Sequence, residues 1–306
     1  MPTIVIVSGA SSGFGAMTVR RLALSGHRVY AGMRATDGRN AHAAQEARAF
    51  ADQHGVDLRP VELDVSDQAS VDAAVASVIE ESGRIDVVVH NAGHMVLGPT
   101  EAFTVEQLAQ VYDSNVLTTQ RLNSAVLPHF RAQEDGLLVW VGSSSARGGT
   151  PPYLAPYFAA KAAEDSLAVS YAVELARFGV DTVIIVPGSY TTGTNHFAHA
   201  GHAERADVAA AYDERYPGLI DDVSARLAEL APDDADPEEV AVEIARIVGL
   251  PRGQRPFRVV IDPADDGAAR VYELGDAVRR DFYHRIGMQE LLSPTDTTAS
   301  TQGESR

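Results

Sequence analysis

A short β-branched run, Thr3-Ile4-Val5-Ile6-Val7, breaks off at Ser8-Gly9. It is followed by Gly9-Ala10-Ser11-Ser12-Gly13-Phe14-Gly15 and by a helical pattern from Ala16 to Leu24 that Gly26 closes. This order of strand, glycine-rich turn and helix restricts the fold more than any other stretch. A run apolar at every position suits a strand covered on both faces. Glycines at 9, 13 and 15 allow a tight turn and let the backbone approach a bound phosphate, to which the helix N-terminus offers N–H donors. The spacing is G-x-x-x-G-x-G rather than the G-x-G-x-x-G of the more familiar dinucleotide fingerprint.

The rhythm then repeats. Strands are expected at 28–33, 57–63, 85–90, 136–142, 180–186 and 258–261, with helices at about 40–54, 67–82, 105–131 and 152–178. Ser66 is the expected cap of the helix at 67–82, with Asp67 in its first turn, and Asp236 that of a helix opening at Pro237. Strands alternating with helices predict an α/β fold: a single-domain Rossmann-like doubly wound sheet of about seven parallel strands with helices on both faces, over residues 1–292. Residues 189–237 form a long insertion after the sixth strand, where the ligand crevice of such a sheet lies, and are expected to be a substrate lid. Residues 293–306 hold no aromatic or bulky apolar side chain and are expected to be a disordered tail.

Composition narrows the chemistry. The chain has no cysteine, which excludes disulfides, thiolate nucleophiles and cysteine-bound zinc. A formal net charge of −17 repels nucleic-acid backbones, so no nucleic-acid partner is expected. No basic leader precedes the first strand, and the longest apolar runs, at 136–141 and 183–187, fall far short of the roughly 20 residues that span a bilayer. A cytoplasmic protein without a membrane partner is expected. His196, His199 and His202 stand at i, i+3 and i+6, but only the first two could share a helix face and Gly201 argues against a long helix, so they are read as lid histidines, with no metal site.

The stretch 143–161 carries the reactive groups. Tyr157 and Lys161 stand four apart on an expected helix and therefore share a face. An ammonium there favours the phenolate, and a downward shift of about 2–3 units would need ~3–4 kcal/mol of differential interaction. A hydroxyl cluster, Ser143-Ser144-Ser145, lies upstream.

Taken in order, Gly9-x-x-x-Gly13-x-Gly15, Asp64-Val65, Asn91-Ala92-Gly93, Asn115, Ser144 thirteen residues ahead of Tyr157, Tyr157-x-x-x-Lys161 and Pro187-Gly188 resemble the short-chain dehydrogenase/reductase family, over residues 3 to 262. The resemblance implies a catalytic set of Asn115, Ser144, Tyr157 and Lys161. Ser144 would bind the substrate oxygen, Tyr157 would transfer the proton, Lys161 would hold the ribose hydroxyls and tune Tyr157, and Asn115 would hold a water linking Lys161 to solvent. It implies cofactor contacts from Gly9, Ser11, Ser12, Gly13, Phe14, Gly15, Asp64, Val65, Asn91, Ala92, Gly93, Pro187, Gly188 and Thr192, with Tyr157 and Lys161 at the nicotinamide end.

In that family an acidic residue ending the second strand selects NAD. Here Met33 takes that position and Arg34 follows, so NADP is favoured over NAD, the planar guanidinium suiting a 2′-phosphate. His94, Met95, Tyr153, Tyr190 and Phe197 are candidate substrate contacts, joined by Tyr212 and Tyr216 of the lid. They describe a fairly large apolar or aromatic ketone, aldehyde or alcohol. Met33-Arg34 and Arg255-Pro256-Phe257-Arg258 are similar to the branch that handles hydroxysteroids and retinoids. The expected activity is an NAD(P)-dependent carbonyl reductase or alcohol dehydrogenase, as a homodimer or homotetramer. The alternative is a catalytically silent NAD(P)-sensing regulator of the same fold, against which the intact Ser144, Tyr157, Lys161 and Asn115 argue.

Overall fold

Side chains on each central strand alternate between two separate apolar layers, and this sets the architecture. The computed structural model describes residues 2–190 and 199–294. In chain order the elements are β1 (Ile4–Val7), α1 (Gly13–Leu24), β2 (Arg28–Met33), α2 (Ala41–His54), β3 (Leu58–Glu62), α3 (Gln68–Ser82), β4 (Val87–His90) and β5 (Val96–Leu97). Next come α4 (Val105–Tyr112), a π-helical turn (Asp113–Leu117), α5 (Thr118–Gln133), β6 (Gly136–Val141), α6 (Ala155–Leu175) and β7 (Val180–Pro187). The chain continues with β8 (Gly201–His202), α7 (Ala206–Arg215), α8 (Leu219–Leu230), α9 (Glu238–Val248), β9 (Arg258–Ile261) and α10 (Ala268–Arg285).

Seven strands form one parallel sheet in the order β3-β2-β1-β4-β6-β7-β9. Val5, Val7, Val87, Val89, Leu137, Val139, Val183 and Ile185 face one layer, closed by α1, α2 and α9 through Val19, Leu22, Ala44, Val240 and Ile244. Ile4, Ile6, Val88, Leu138, Trp140, Ile184 and Val186 face the other, closed by α3, α5, α6 and α10 through Val75, Val78, Leu122, Phe130, Leu175 and Tyr272. Burial on both faces is why these strands read as unbroken apolar runs. The order reverses between β1 and β4, which opens a crevice at their C-terminal ends.

Four local expectations are corrected. The cap of α3 is Asp67, whose carboxylate accepts from the Ala69 N–H at 3.1 Å, because Ser66 is held by Asp64 instead. The helix expected at 105–131 is interrupted by the π-helical turn. There the Asn115 amide donates to the backbone oxygens of Val111 and His94, both at 2.9 Å, and accepts from the His94 N–H at 3.0 Å. The third is α10, not among the expected helices although Val271, Leu274, Val278 and Phe282 recur at helical spacing. These positions are exposed, and only Ala268 and Tyr272 are buried. At α9 the cap position is Pro237 rather than Asp236, although the Asp236 carboxylate still accepts from the Glu238 N–H at 2.9 Å. No helix among the described residues is long and apolar enough to cross a membrane.

Candidate active site

The turn after β1 is built around glycine for steric reasons that differ by position. A Cβ on Gly15 would lie 2.4 Å from the Gly9 oxygen and 2.5 Å from the Asn91 amide nitrogen, so helix, turn and β4 loop meet too closely for any side chain. Gly9 has φ +66° and would drive a Cβ to 2.8 Å from the Ala92 Cα. Gly13, at φ +52°, faces open space, leaving bare backbone towards the crevice. Ser12 caps α1 without a side-chain hydrogen bond, and no acidic residue stands in its first turn, so no carboxylate offsets the positive end of the helix there. The Asn91 amide donates to the Ser8 and Gly9 oxygens, and the Ser8 hydroxyl accepts from the Asn91 and Ala92 N–H groups at 3.0 and 3.1 Å. The two loops of the crevice are thereby fixed as one cradle, which a dinucleotide pyrophosphate fits.

Further along the crevice, β2 ends at buried Met33, followed by exposed Arg34. The nearby carboxylate is not free: Glu62 accepts from the N–H groups of Ala35 and Thr36 at 2.7 and 2.8 Å and from the Thr36 hydroxyl at 2.6 Å. Burial pushes the Asp64 carboxyl up, but hydrogen bonds from Ser66 and the charges of Arg34 and Arg39 bring it below its ordinary range. Arg39 thus joins Arg34 beside Asp64, a proximity with no signal in the sequence because it depends on the turn that Glu62 holds. Gly188 is also fixed by packing. Its Cβ would overlap Asp262, so close packing against the end of β9 demands it.

Tyr157 and Lys161 lie on one face of α6 and are both buried, beside Asn115. The lysine is the surprise. Its ammonium donates to Glu164 Oε2 at 2.7 Å and to the Val141 oxygen at 3.1 Å. The expected downward shift of the phenol is corrected accordingly. Burial pushes Tyr157 up, Lys161 opposes, Glu164 reinforces, and the balance is upward. Glu164 is three residues after Lys161, a spacing that was available in the sequence as a helical pair. The serine that acts on the phenol is Ser143, which lowers it slightly and whose hydroxyl accepts from the Ser145 N–H at 3.2 Å. Ser144, chosen by the thirteen-residue interval, is buried next to it and opens a short 3-10 turn, Ser144–Ala146. The Asn115 side chain is engaged by the backbone of Val111 and His94, so it shapes the loop that follows β4.

Met95 and Tyr153 share one apolar cluster with Tyr157, Val96, Leu97 and Phe103, partly covered by Tyr212, Leu219, Ile220 and Leu227. Tyr153 adopts φ +71°, and its buried hydroxyl has no hydrogen-bond partner. His94 is exposed at the edge, against β8. Tyr190 is not in this cluster. It packs edge-on against Phe14 at 5.6 Å, in the layer under α1 and α9. Tyr216 is exposed. The segment from 199 onward is pinned above the cluster: β8 pairs with β5, and the Gln107 side chain donates to the His202 oxygen and accepts from the Glu204 N–H. Thr192, His196 and Phe197 lie outside the described residues, as do residues 295–306 of the tail. Among the described residues no group of three or more His, Asp or Glu side chains could hold a metal.

The chain matches the family model of the short chain dehydrogenases over residues 3–203. Over 192 residues it is 31% identical to 3-ketodihydrosphingosine reductase of Bacteroides thetaiotaomicron, covering 63% of this chain and 65% of that protein. Over 195 residues it is 40% identical to 17-beta-hydroxysteroid dehydrogenase type 1 of Homo sapiens, covering 62% of this chain and 57% of that one. The matches thus span less than two thirds of either relative's length. Among solved structures, a variant of actinorhodin polyketide ketoreductase with NADPH is similar with a TM-score of 0.69 at 25% identity, covering 86% of this chain and 96% of that one.

Proposed function

The chain belongs to the short-chain dehydrogenase family, and from that premise we propose that it is an NADP-dependent carbonyl reductase acting on a fairly large apolar or aromatic ketone. The observation that carries this reading is the meeting of Tyr157, Lys161 and Asn115 beside the glycine cradle, under an apolar cluster with one unsatisfied hydroxyl. A bound nicotinamide would supply the hydride. The cradle of Gly9, Gly13 and Gly15 with the N-terminus of α1 would hold its pyrophosphate, and Lys161 its ribose. Tyr157 gives its proton to the carbonyl oxygen, and the Ser144 hydroxyl donates to that oxygen as charge develops on it. Asn115 keeps the β4 loop in place beneath both. Met95, Tyr153 and the segment 199–237 exclude water and take the apolar body of the substrate. The unpaired Tyr153 hydroxyl suits a polar group on it, since a buried hydroxyl without a partner is costly.

NADP rather than NAD is supported by Met33 at the selective position, by Glu62 being consumed in the turn, and by Arg34 and Arg39 beside Asp64. The NADPH bound by the polyketide ketoreductase points the same way. Replacing both arginines, Arg34→Ala with Arg39→Ala, is expected to raise KM for NADPH by about 10- to 100-fold, as charge-assisted hydrogen bonds are worth about 1.5–3 kcal/mol. KM for NADH should change little. An unchanged ratio of the two kcat/KM values would remove the argument.

The function itself is tested by a panel of aryl, alicyclic and steroidal ketones and the matching alcohols, followed by NAD(P)H absorbance. Turnover of none, with the cofactor bound, would favour a regulatory role. On a substrate from this panel, Ser144→Ala is expected to lower kcat/KM by about 10²-fold. Ser143→Ala should cost less, and the reverse ranking would transfer the oxyanion role to Ser143.

A further inference from the structure

Glu164 is the one group of this site that the family motifs leave without a task. Tyr157, Lys161 and Glu164 stand at i, i+4 and i+7 of α6 and face the same way. The Glu164 side chain is 2% exposed and that of Lys161 5%. A carboxylate taken this far from water is costly unless it is paired, and its partner here is the lysine ammonium, at 2.7 Å. The buried neighbours of Glu164 along the helix include the apolar Ala160, Ala168 and Leu175 and the charged Asp165.

We propose that Glu164 is a positioning residue that neutralises Lys161 and so keeps the Tyr157 phenol protonated, in the form that can give its proton to a carbonyl oxygen. The inference rests on Tyr157 being the general acid. An ammonium alone would draw the phenol towards phenolate, and a carboxylate within hydrogen-bond distance of that ammonium cancels most of its field.

The surrounding charges agree. Burial pushes Lys161 down, and Glu164 followed by Tyr157 more than offsets this, so the lysine stays protonated. Burial pushes Glu164 up by more than Lys161 lowers it, with Asp165 adding to the rise, so its charge rests on the lysine at 2.7 Å. Asp165 is itself paired with Arg258 of β9 and lies 3.9 Å from Arg147 of the loop after β6. On the same face of the sheet, His90 of β4 is bonded to Asn123 and lowered by burial to about 4, hence neutral. The π-helical turn contributes the uncharged Asn115.

The test is an ultraviolet titration of phenol ionisation in the full chain, with the Tyr157→Phe spectrum subtracted to isolate Tyr157. In Glu164→Gln the midpoint is expected to fall by about one pH unit or more. Glu164→Asp, which keeps the charge, should stay near the wild type. An ionisation seen in Glu164→Gln below a pH at which the wild type shows none also supports the proposal. A midpoint unmoved in Glu164→Gln overturns it. Where that variant does not fold, Lys161→Met with Glu164→Met removes both charges. A midpoint near the wild-type value then supports cancellation, and a rise of about one unit, the effect of losing an unopposed lysine, overturns it. An unmoved midpoint alongside an inactive Tyr157→Phe leaves the general-acid reading standing. Turnover that survives Tyr157→Phe removes that reading and this proposal together.

Discussion

Tyr157→Phe is expected to lower kcat/KM for ketone reduction by about 10²–10⁴-fold, the span that a positioned general acid supplies. That loss corresponds to about 3–5.5 kcal/mol of transition-state stabilisation. The structural cost is much smaller. Phenylalanine keeps the ring in its apolar cluster with Met95 and Phe103, and only the hydroxyl is lost, at most about 1 kcal/mol. Binding of NADPH, read by fluorescence, should survive, because the cradle lies on β1, α1 and the β4 loop. Activity within a few-fold of wild type would show that another group delivers the proton. An inactive variant that also fails to bind the cofactor would show only a damaged site.

Arg258→Met is expected to destabilise the fold by about 3–5 kcal/mol, the range for breaking a buried ion pair by removing one partner. The guanidinium of Arg258 bonds Asp165 at 2.5 Å and Asp276 at 3.0 Å, and it lies 4.0 Å from the ring centre of Tyr272. The side chains of Arg258 and Asp165 are 6% and 5% exposed, so the orphaned carboxylate could not recruit water cheaply. Denaturant unfolding reads the loss, and Asp165→Asn combined with Arg258→Met should recover a large part of it. The cluster ties α10 to α6 four residues beyond Lys161, and the Tyr272 hydroxyl reaches the Ser143 oxygen at 3.4 Å. A destabilisation below about 1 kcal/mol would place Arg258 among ordinary surface pairs.

What the sequence made legible was periodic or local. Strands apolar at every position declared a sheet covered on both faces, and the glycine turn declared where that sheet opens. The i, i+4 spacing of Tyr157 and Lys161 placed them on one helix face before any coordinates. The misses share a physical character. The π-helical turn arises because Asn115 bonds a loop more than twenty residues upstream. Helix α10 carries a legible apolar stripe, but that stripe faces outward and the helix docks through a charged and aromatic cluster instead, which spacing alone does not show. Tyr190, grouped in the sequence with the lid aromatics, turns under α1 to meet Phe14, since chain proximity does not say which side of a sheet a residue leaves from.

The same division runs through the site. Fold class, the glycine turn and the placing of Tyr157 and Lys161 on one helix face follow from spacing along the chain, because helix and strand geometry convert sequence interval into direction. The charge state of that pair does not follow from spacing. It depends on Glu164 reaching Lys161 in a volume from which water is excluded. The charge at the other end of the crevice depends likewise on Glu62 being drawn into the β2 turn while Arg34 and Arg39 stand beside Asp64. Burial sets how strongly each charge acts, and burial belongs to the packed molecule. The motif names the groups, and their surroundings in the fold set which of them holds the proton.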